Sequence, residues 1–173
     1  MFKAQPSAKP IGSLLEACEE QGAFTDCYRV QTNSQISLPE LIKAFYTSAP
    51  FKVERTMLKW VLGRASADID AECLAQGVRE TFAIWKVEER TANQLLLAEL
   101  SGRTKSWLMV QPSNDQTANG TNLYFGSAVM PKKHAGSKTN QTGAAFHSLL
   151  WFHKLYSQIL LAAAERNLSR GHG

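Results

Sequence analysis

Residues 143–168 read GAAFHSLLWFHKLYSQILLAAAERNL, and this stretch decides the fold. At 100° per residue, its apolar side chains fall on one broad face and its polar side chains fall on the opposite face. The apolar set is Leu149, Phe152, Tyr156, Ile159, Leu160 and Ala163, and the polar set is His147, Lys154, Gln158 and Glu165. The pattern predicts one amphipathic helix about 35 Å long at 1.5 Å per residue. Its wide apolar face needs a broad partner, most naturally a sheet.

Strand-like runs precede this helix. Four of them follow one another at Thr81–Arg90, Gln94–Leu100, Thr104–Gln111 and Asn122–Met130. Short or polar connections separate them, and such connections join antiparallel neighbours. Residues 23–32 mix aromatic, β-branched and polar side chains and predict a further strand. We therefore expect five strands.

Helices are predicted between the first strand and the four-strand run. Ser37-Leu-Pro-Glu40 is a capping box, with Ser at the N-cap and Glu at N3, so a helix should begin there and end near Ser48. Further helices are predicted over about 51–62 and 67–76, and a short one over 13–21. Residues 1–12 contain Pro6, Pro10 and Gly12 and are expected to form a loose tail.

The order of strand, helices, antiparallel strands and long helix predicts an α+β fold. Local stretches carry a resemblance as well: Gly102–Val110 (GRTKSWLMV), Leu123–Pro131 (LYFGSAVMP) and Phe152–Ser157 (FHKLYS). With this element order, they resemble an uncharacterised bacterial branch of the SRPBCC, or START-like, superfamily. The resemblance implies a helix-grip fold, in which a curved antiparallel β-sheet wraps around a long C-terminal α-helix. Larger members of the superfamily have six or seven strands.

The resemblance covers about residues 23–168. It divides the chain into an N-terminal segment at 1–22, a helix-grip domain at 23–168 and a C-terminal tail at 169–173. It also implies an apolar cavity between the sheet and the final helix. The side chains that we expect to contact a ligand in this cavity are Trp85, Trp107, Tyr124, His153 and Tyr156. His153 and Tyr156 would orient a polar group of the ligand; alternatively, both are ordinary core residues.

Composition narrows the classes of partner. The net charge of +4 is mild, whereas a nucleic-acid binder concentrates more positive charge on one face. Lys52, Arg55 and Lys59 form a basic stripe that could contact an anionic surface weakly, although a solvated helix face explains it equally simply. The final helix carries His, Lys and Gln side chains, so we expect it in a core and not in a membrane.

Cysteines and acidic residues give no metal pattern. Cys18, Cys27 and Cys73 are scattered, and the N-terminus lacks an apolar signal-peptide run, so we expect reduced thiols and a cytoplasmic protein. Acids in a first helical turn explain Asp68, Asp70 and Glu72 without a metal. We expect neither a metal nor a cofactor.

Glu99 and Arg103 bracket the turn after an apolar strand. Glu99 could be a pocket acid with a raised pKa if it is desolvated, or half of a surface ion pair at a hairpin end. The expected function is binding of a hydrophobic or amphipathic small molecule, lipid- or polyketide-like. One alternative is a cyclase- or dehydratase-like enzyme on the same fold, and another is a ligand-free protein-interaction module.

Overall fold

The computed structural model describes residues 4–51, 68–113, 120–131 and 158–169. In these ranges the protein is α+β, with seven strands in one open antiparallel sheet of order β1-β2-β7-β6-β5-β4-β3. The strands are β1 Gln5–Pro6, β2 Phe24–Thr32, β3 Thr81–Phe82, β4 Trp85–Arg90, β5 Gln94–Glu99, β6 Thr104–Pro112 and β7 Thr121–Val129. The helices are α1 Leu15–Glu20, α2 Leu38–Tyr46, α3 Asp68–Ala75 and α4 at 158–169, and residues 49–51 are also helical.

Two short strands were not expected. The predicted strand 81–90 is a tight hairpin instead, because Phe82 pairs with Trp85 across a two-residue turn. In the predicted loose tail, Gln5 and Pro6 pair with Arg29 and Tyr28 of β2. Proline suits this place, since an edge strand does not need its missing N–H. The remaining strands confirm the predicted runs to within about two residues.

The capping box at the start of α2 is confirmed. Ser37 Oγ accepts a hydrogen bond from the Glu40 backbone N–H, and the Ser37 N–H donates to Glu40 Oε2 at 2.8 Å. These two bonds satisfy backbone donors that a helix start leaves unpaired. The predicted short helices at 13–21 and 67–76 are present as α1 and α3, and the glycines that follow them, Gly22 and Gly77, have positive φ angles.

Both faces of the sheet are covered. We call the face that bears Leu97 and Leu108 the inner face, and the face that bears Leu96 and Met109 the outer face. The inner face belongs to the main core with side chains of α2, α3 and α4. The outer face forms a smaller core with α1. Residues of β6 are therefore buried in succession from Lys105 to Val110 and show no alternation.

A glutamine holds α1 against the outer face. Gln94 Oε1 accepts from the Leu14 backbone N–H at 3.0 Å and from Trp107 Nε1 at 2.9 Å, and Gln94 Nε2 donates to the Gly12 carbonyl. Leu15 then packs above Gly126, where an added Cβ would lie only 2.7 Å from Leu15 Cδ1. The N-terminal segment is thus part of the packed structure.

The buried face of α4 is rotated from the predicted one. Ile159 was expected in the core but is 46% exposed, whereas Glu165 was expected in solvent but is buried and accepts from Ser169 Oγ. The residues of α4 that join the main core are Leu160, Leu161, Ala164 and Leu168. Three consecutive alanines widen the apolar arc of the helical wheel, so the sequence does not tell which side of that arc faces the core. In the structure, the large side chains of Leu161 and Leu168 determine the contact. Predicted core positions Leu149, Phe152 and Tyr156 lie outside the described residues.

Candidate functional site

A row of three polar residues crosses the inner face. Asp26 of β2 lies opposite Ser127 of β7, and Ser127 lies opposite Ser106 of β6. Directly opposed residues of antiparallel strands point to the same side of the sheet. The row continues as Leu97 and Val87 on β5 and β4, so its polar half lies among apolar neighbours. We call Asp26, Ser127 and Ser106 the polar row.

Each residue of the polar row makes a side-chain hydrogen bond. Ser127 donates to Asp26 Oδ1 from its hydroxyl at 2.7 Å and from its backbone N–H at 3.0 Å. The Tyr46 hydroxyl of α2 lies 3.4 Å from Ser106 Oγ. Tyr28, two residues after Asp26 in β2, is also buried. Burial, and then the neighbouring Asp26 carboxylate, raise the pKa of Tyr28 to about 12, so its hydroxyl stays protonated at neutral pH.

Aromatic rings pack against the ring of Tyr46 and against one another. Phe45 and Phe125 have ring centroids 4.8 Å apart, Tyr46 and Phe51 also 4.8 Å, and Tyr46 and Phe82 5.1 Å. We call these five rings the aromatic cluster. It joins α2 to the inner face from β7 to β3, and it contacts the polar row where the Tyr46 hydroxyl meets Ser106. Hydrogen bonds in such surroundings are stronger than in water.

Trp85 is the predicted ligand residue that the structure places on the inner face. It is half-buried and packs against the main core. Its indole Nε1 is shielded from solvent and donates no hydrogen bond to any residue in the described part of the chain. Such an unsatisfied buried donor is unusual in a folded protein and requires an explanation.

Trp107 and Tyr124 are on the outer face, which corrects their predicted position. They pack with α1 and with each other, at a ring-centroid distance of 6.3 Å. Trp107 Nε1 is already bonded to Gln94, and the Tyr124 hydroxyl donates to Gln111. They do not line a space between the sheet and α4. The physical reason is that both faces of β6 are buried, so the strand shows no alternation of apolar and polar residues. The sequence therefore does not tell which of the neighbours Trp107 and Leu108 points to the inner face.

The other predicted contacts lie outside the part of the chain that the structure describes. His153 and Tyr156 precede α4 in the undescribed stretch 132–157, and their proposed roles stay predictions. Lys52, Arg55 and Lys59, the predicted basic stripe, are also outside the described residues.

Glu99 is a turn residue and not a pocket acid. Its carboxylate accepts from the Ser101 hydroxyl, from the Ser101 backbone N–H at 2.9 Å and from the Arg103 backbone N–H at 3.3 Å. These bonds, led by the Ser101 hydroxyl, lower the pKa of Glu99. Of the two alternatives for Glu99, the pocket acid with a raised pKa is therefore wrong, because the carboxylate is turned toward backbone donors at the exposed end of the hairpin.

The acids of α3 form ion pairs. Asp70 pairs with Arg79, and Glu72 pairs with Lys43 of α2. Within the described ranges, no group of three or more His, Cys, Asp or Glu side chains could hold a metal ion. In those same ranges, no helix is long and apolar enough to cross a membrane.

The three cysteines are free thiols, as predicted. Cys18 of α1 and Cys27 of β2 are both buried in the smaller core between α1 and the outer face. Burial raises the pKa of Cys18, and burial followed by the Asp26 charge raises that of Cys27 to about 12. Both thiols are protonated at neutral pH and are poor nucleophiles.

A half-open pocket of about 480 Å³ borders the polar row at the edge of the sheet. It lies where the chain after β1 leaves β2, and Asp26, Tyr28 and the half-exposed Phe24 contribute to its wall. Lys9 and Glu19 form an ion pair on its other side. Its volume is within the usual range for small-molecule pockets.

The sequence did not identify the polar row. Asp26, Ser106 and Ser127 are far apart along the chain, and only the register of β2, β7 and β6 brings them together. One indication was present: each is a small polar residue inside a run that otherwise reads as a buried strand. Comparison of the chain with family models, with characterised proteins and with solved structures finds no match.

Proposed function

We propose that the chain is a helix-grip protein of the SRPBCC type that binds a hydrophobic or amphipathic small molecule against the inner face. The element order supports the family: β2, then helices, then the consecutive antiparallel strands β3 to β7, then a C-terminal helix. β2 pairs with β7 and so borders the last strand of the run. The ligand would lie between the sheet and the C-terminal helix, and would be lipid- or polyketide-like.

The observation that carries the proposal is the polar row, which meets the aromatic cluster where the Tyr46 hydroxyl contacts Ser106. Burying a hydroxyl or a carboxylate costs free energy that hydrogen bonds only partly return, so apolar residues would serve a purely structural core better. Ser106, Ser127 and the Tyr46 hydroxyl instead place polar groups on the face that the helices cover. A few polar groups in an apolar environment are what a ligand site needs to fix orientation.

Binding energy would come mainly from the ligand's apolar surface. Removing that surface from water contributes about 25 cal/mol per Å². The hydroxyls of the polar row and of Tyr46 would add orientation and specificity more than affinity. An enzyme on the same fold would need a proton donor or acceptor that contacts the substrate; His153 and Tyr156 are its predicted candidates.

Two matched tyrosine variants test the proposal. Tyr46→Phe removes a buried hydroxyl that contacts Ser106 on the inner face, and Tyr124→Phe removes one that contacts Gln111 on the outer face. A fluorescent apolar probe should bind the wild type saturably. Because one neutral hydrogen bond contributes about 1 kcal/mol, Tyr46→Phe should weaken the binding of an amphipathic competitor about fivefold, and Tyr124→Phe should leave it unchanged.

The same titration can reject the proposal. No saturable probe binding by the folded wild type would remove both the binding protein and the enzyme, and would leave the protein-interaction module. Equal weakening by the two tyrosine variants would show that the effect is general destabilisation and that the inner face is not the site.

A further inference from the structure

Among the described residues, the indole N–H of Trp85 is a buried hydrogen-bond donor without an acceptor. Its Nε1 is shielded from solvent, and no atom of the described residues accepts a hydrogen bond from it, whereas Nε1 of Trp107 is paired with Gln94 at 2.9 Å. An indole N–H donates only and cannot be satisfied by a hydroxyl hydrogen or another N–H. Leaving it unpaired weakens the ligand-free protein, so any group that supplies an acceptor there is favoured.

The residue that pairs with Trp85 on the neighbouring strand does not serve as its acceptor. Glu99 is the residue opposite Trp85 on β5, and a carboxylate there could have accepted the indole hydrogen bond. Both of its oxygens are instead bonded within the turn, to Ser101 and to the Arg103 N–H. Among the described residues, the Trp85 donor is therefore left without an acceptor.

The turn that positions Trp85 is strained. Ala83 has a φ of 53°, in the left-handed region that non-glycine residues rarely adopt. The strain is tolerated because Phe82 is held in the aromatic cluster and Val87 N–H is bonded to the Glu80 carbonyl. Strained backbone of this kind is found preferentially beside functional side chains.

We propose that Trp85 Nε1 donates a hydrogen bond to an uncharged oxygen of the bound ligand, such as a ketone or ester carbonyl. This inference rests on the proposed function and specifies its ligand class: apolar molecules that carry a carbonyl, in preference to pure hydrocarbons. An uncharged acceptor fits because a carboxylate would have to lose its hydration in this buried environment, at a much higher cost.

The test uses two probes that differ in one group. Hexanophenone and hexylbenzene have the same ring and chain, with a carbonyl in the first where the second has a methylene. Each is titrated as a competitor of the fluorescent apolar probe. Leaving water costs the ketone more free energy than the hydrocarbon, so the quantity compared is the ratio of the two affinities. The hydrogen bond to Trp85 should raise the affinity for hexanophenone relative to hexylbenzene about five- to tenfold over a protein that lacks this donor.

Two tryptophan variants locate the preference. Trp85→Phe removes the donor and should lower the affinity for hexanophenone relative to hexylbenzene about five- to tenfold, whereas Trp107→Phe removes a donor that Gln94 already satisfies and should keep the wild-type ratio. The ratio of the two affinities is measured in each variant, so a change in overall stability does not affect the comparison. If Trp85→Phe fails to fold, the wild-type protein still gives an answer by NMR: hexanophenone, but not hexylbenzene, should shift the Trp85 indole N–H resonance downfield.

The outcomes separate this inference from the proposed function. If neither probe binds to the folded wild type, the proposed function is overturned. An affinity ratio that Trp85→Phe leaves at the wild-type value, or an unchanged indole resonance, overturns the inference while leaving a protein that binds apolar molecules.

Discussion

Gln94 gives the most quantitative prediction about the fold. Its side chain joins the segment before α1 to the outer face through Leu14, Gly12 and Trp107. Gln94→Leu keeps the volume of the side chain and removes all three hydrogen bonds. The Trp107 indole, which is fully buried, is then left with an unpaired N–H.

The magnitude follows from two contributions. A buried unpaired donor costs about 1–3 kcal/mol, and loss of the partly exposed Leu14 bond costs about 1 kcal/mol more. The Gly12 carbonyl is exposed and can bond to water, so it adds little. Gln94→Leu should therefore lower the free energy of unfolding by about 2–4 kcal/mol. Gln76→Ala, at an exposed glutamine bonded only to Glu72, should change it by less than about 0.5 kcal/mol.

Urea unfolding followed by far-UV circular dichroism measures both variants, since tryptophan fluorescence would itself change. A double-mutant cycle with Trp107→Phe isolates the shared bond. Once Trp107 is replaced, no indole donor is left to be unpaired, so the double variant should be about 1–3 kcal/mol more stable than the sum of the single effects predicts. Additive effects, or a Gln94→Leu variant as stable as wild type, would refute the assignment of Gln94 as the residue that holds α1.

Two further predictions concern packing and pH. Leu161→Ala should lower the free energy of unfolding by about 2–5 kcal/mol because Leu161 is fully buried. Ile159→Ala, at a half-exposed position, should lower it by less than about 1 kcal/mol. The opposite order in urea unfolding would support the face of α4 that the sequence predicts. Cys27 has its pKa raised from about 9 to about 12 in the folded protein, so the unfolded chain loses this proton first, and stability should fall as the pH rises between those values. Cys27→Ala should make the fall shallower, with Tyr28 accounting for part of the remainder, and an unchanged slope would contradict the raised pKa.

Most elements could be predicted because their determinants are local. The capping box at Ser37 begins α2, and the polar connections after Arg90 and Leu100 end strands whose neighbours are adjacent in sequence. The hairpin at Phe82–Trp85 could not be predicted in this way. Its turn is Ala83-Ile84, which contains none of the residues that favour positive φ, and the strained conformation depends on tertiary packing.

The candidate site was less predictable because it depends on strand phase and register. Trp107 and Leu108 are adjacent and both fully buried, so the sequence does not tell which of them faces α2 and α4. Trp85 was predicted as a ligand contact, and its inner-face position is compatible with that role. Asp26, Ser106 and Ser127 form a row only through pairings between strands up to about 100 residues apart, which no local pattern records.

The central claim is that the inner face of the sheet binds the ligand, and intermolecular NOEs in NMR test it most directly. Leu96 and Leu97 are neighbours in β5 whose side chains lie on opposite faces, as do Leu108 and Met109 in β6. With hexanophenone at saturating concentration, the account predicts NOEs from the ligand to the methyl groups of Leu97 or Leu108 and none to Leu96 or Met109. NOEs confined to Leu96 and Met109 would place the ligand under α1 and contradict the account.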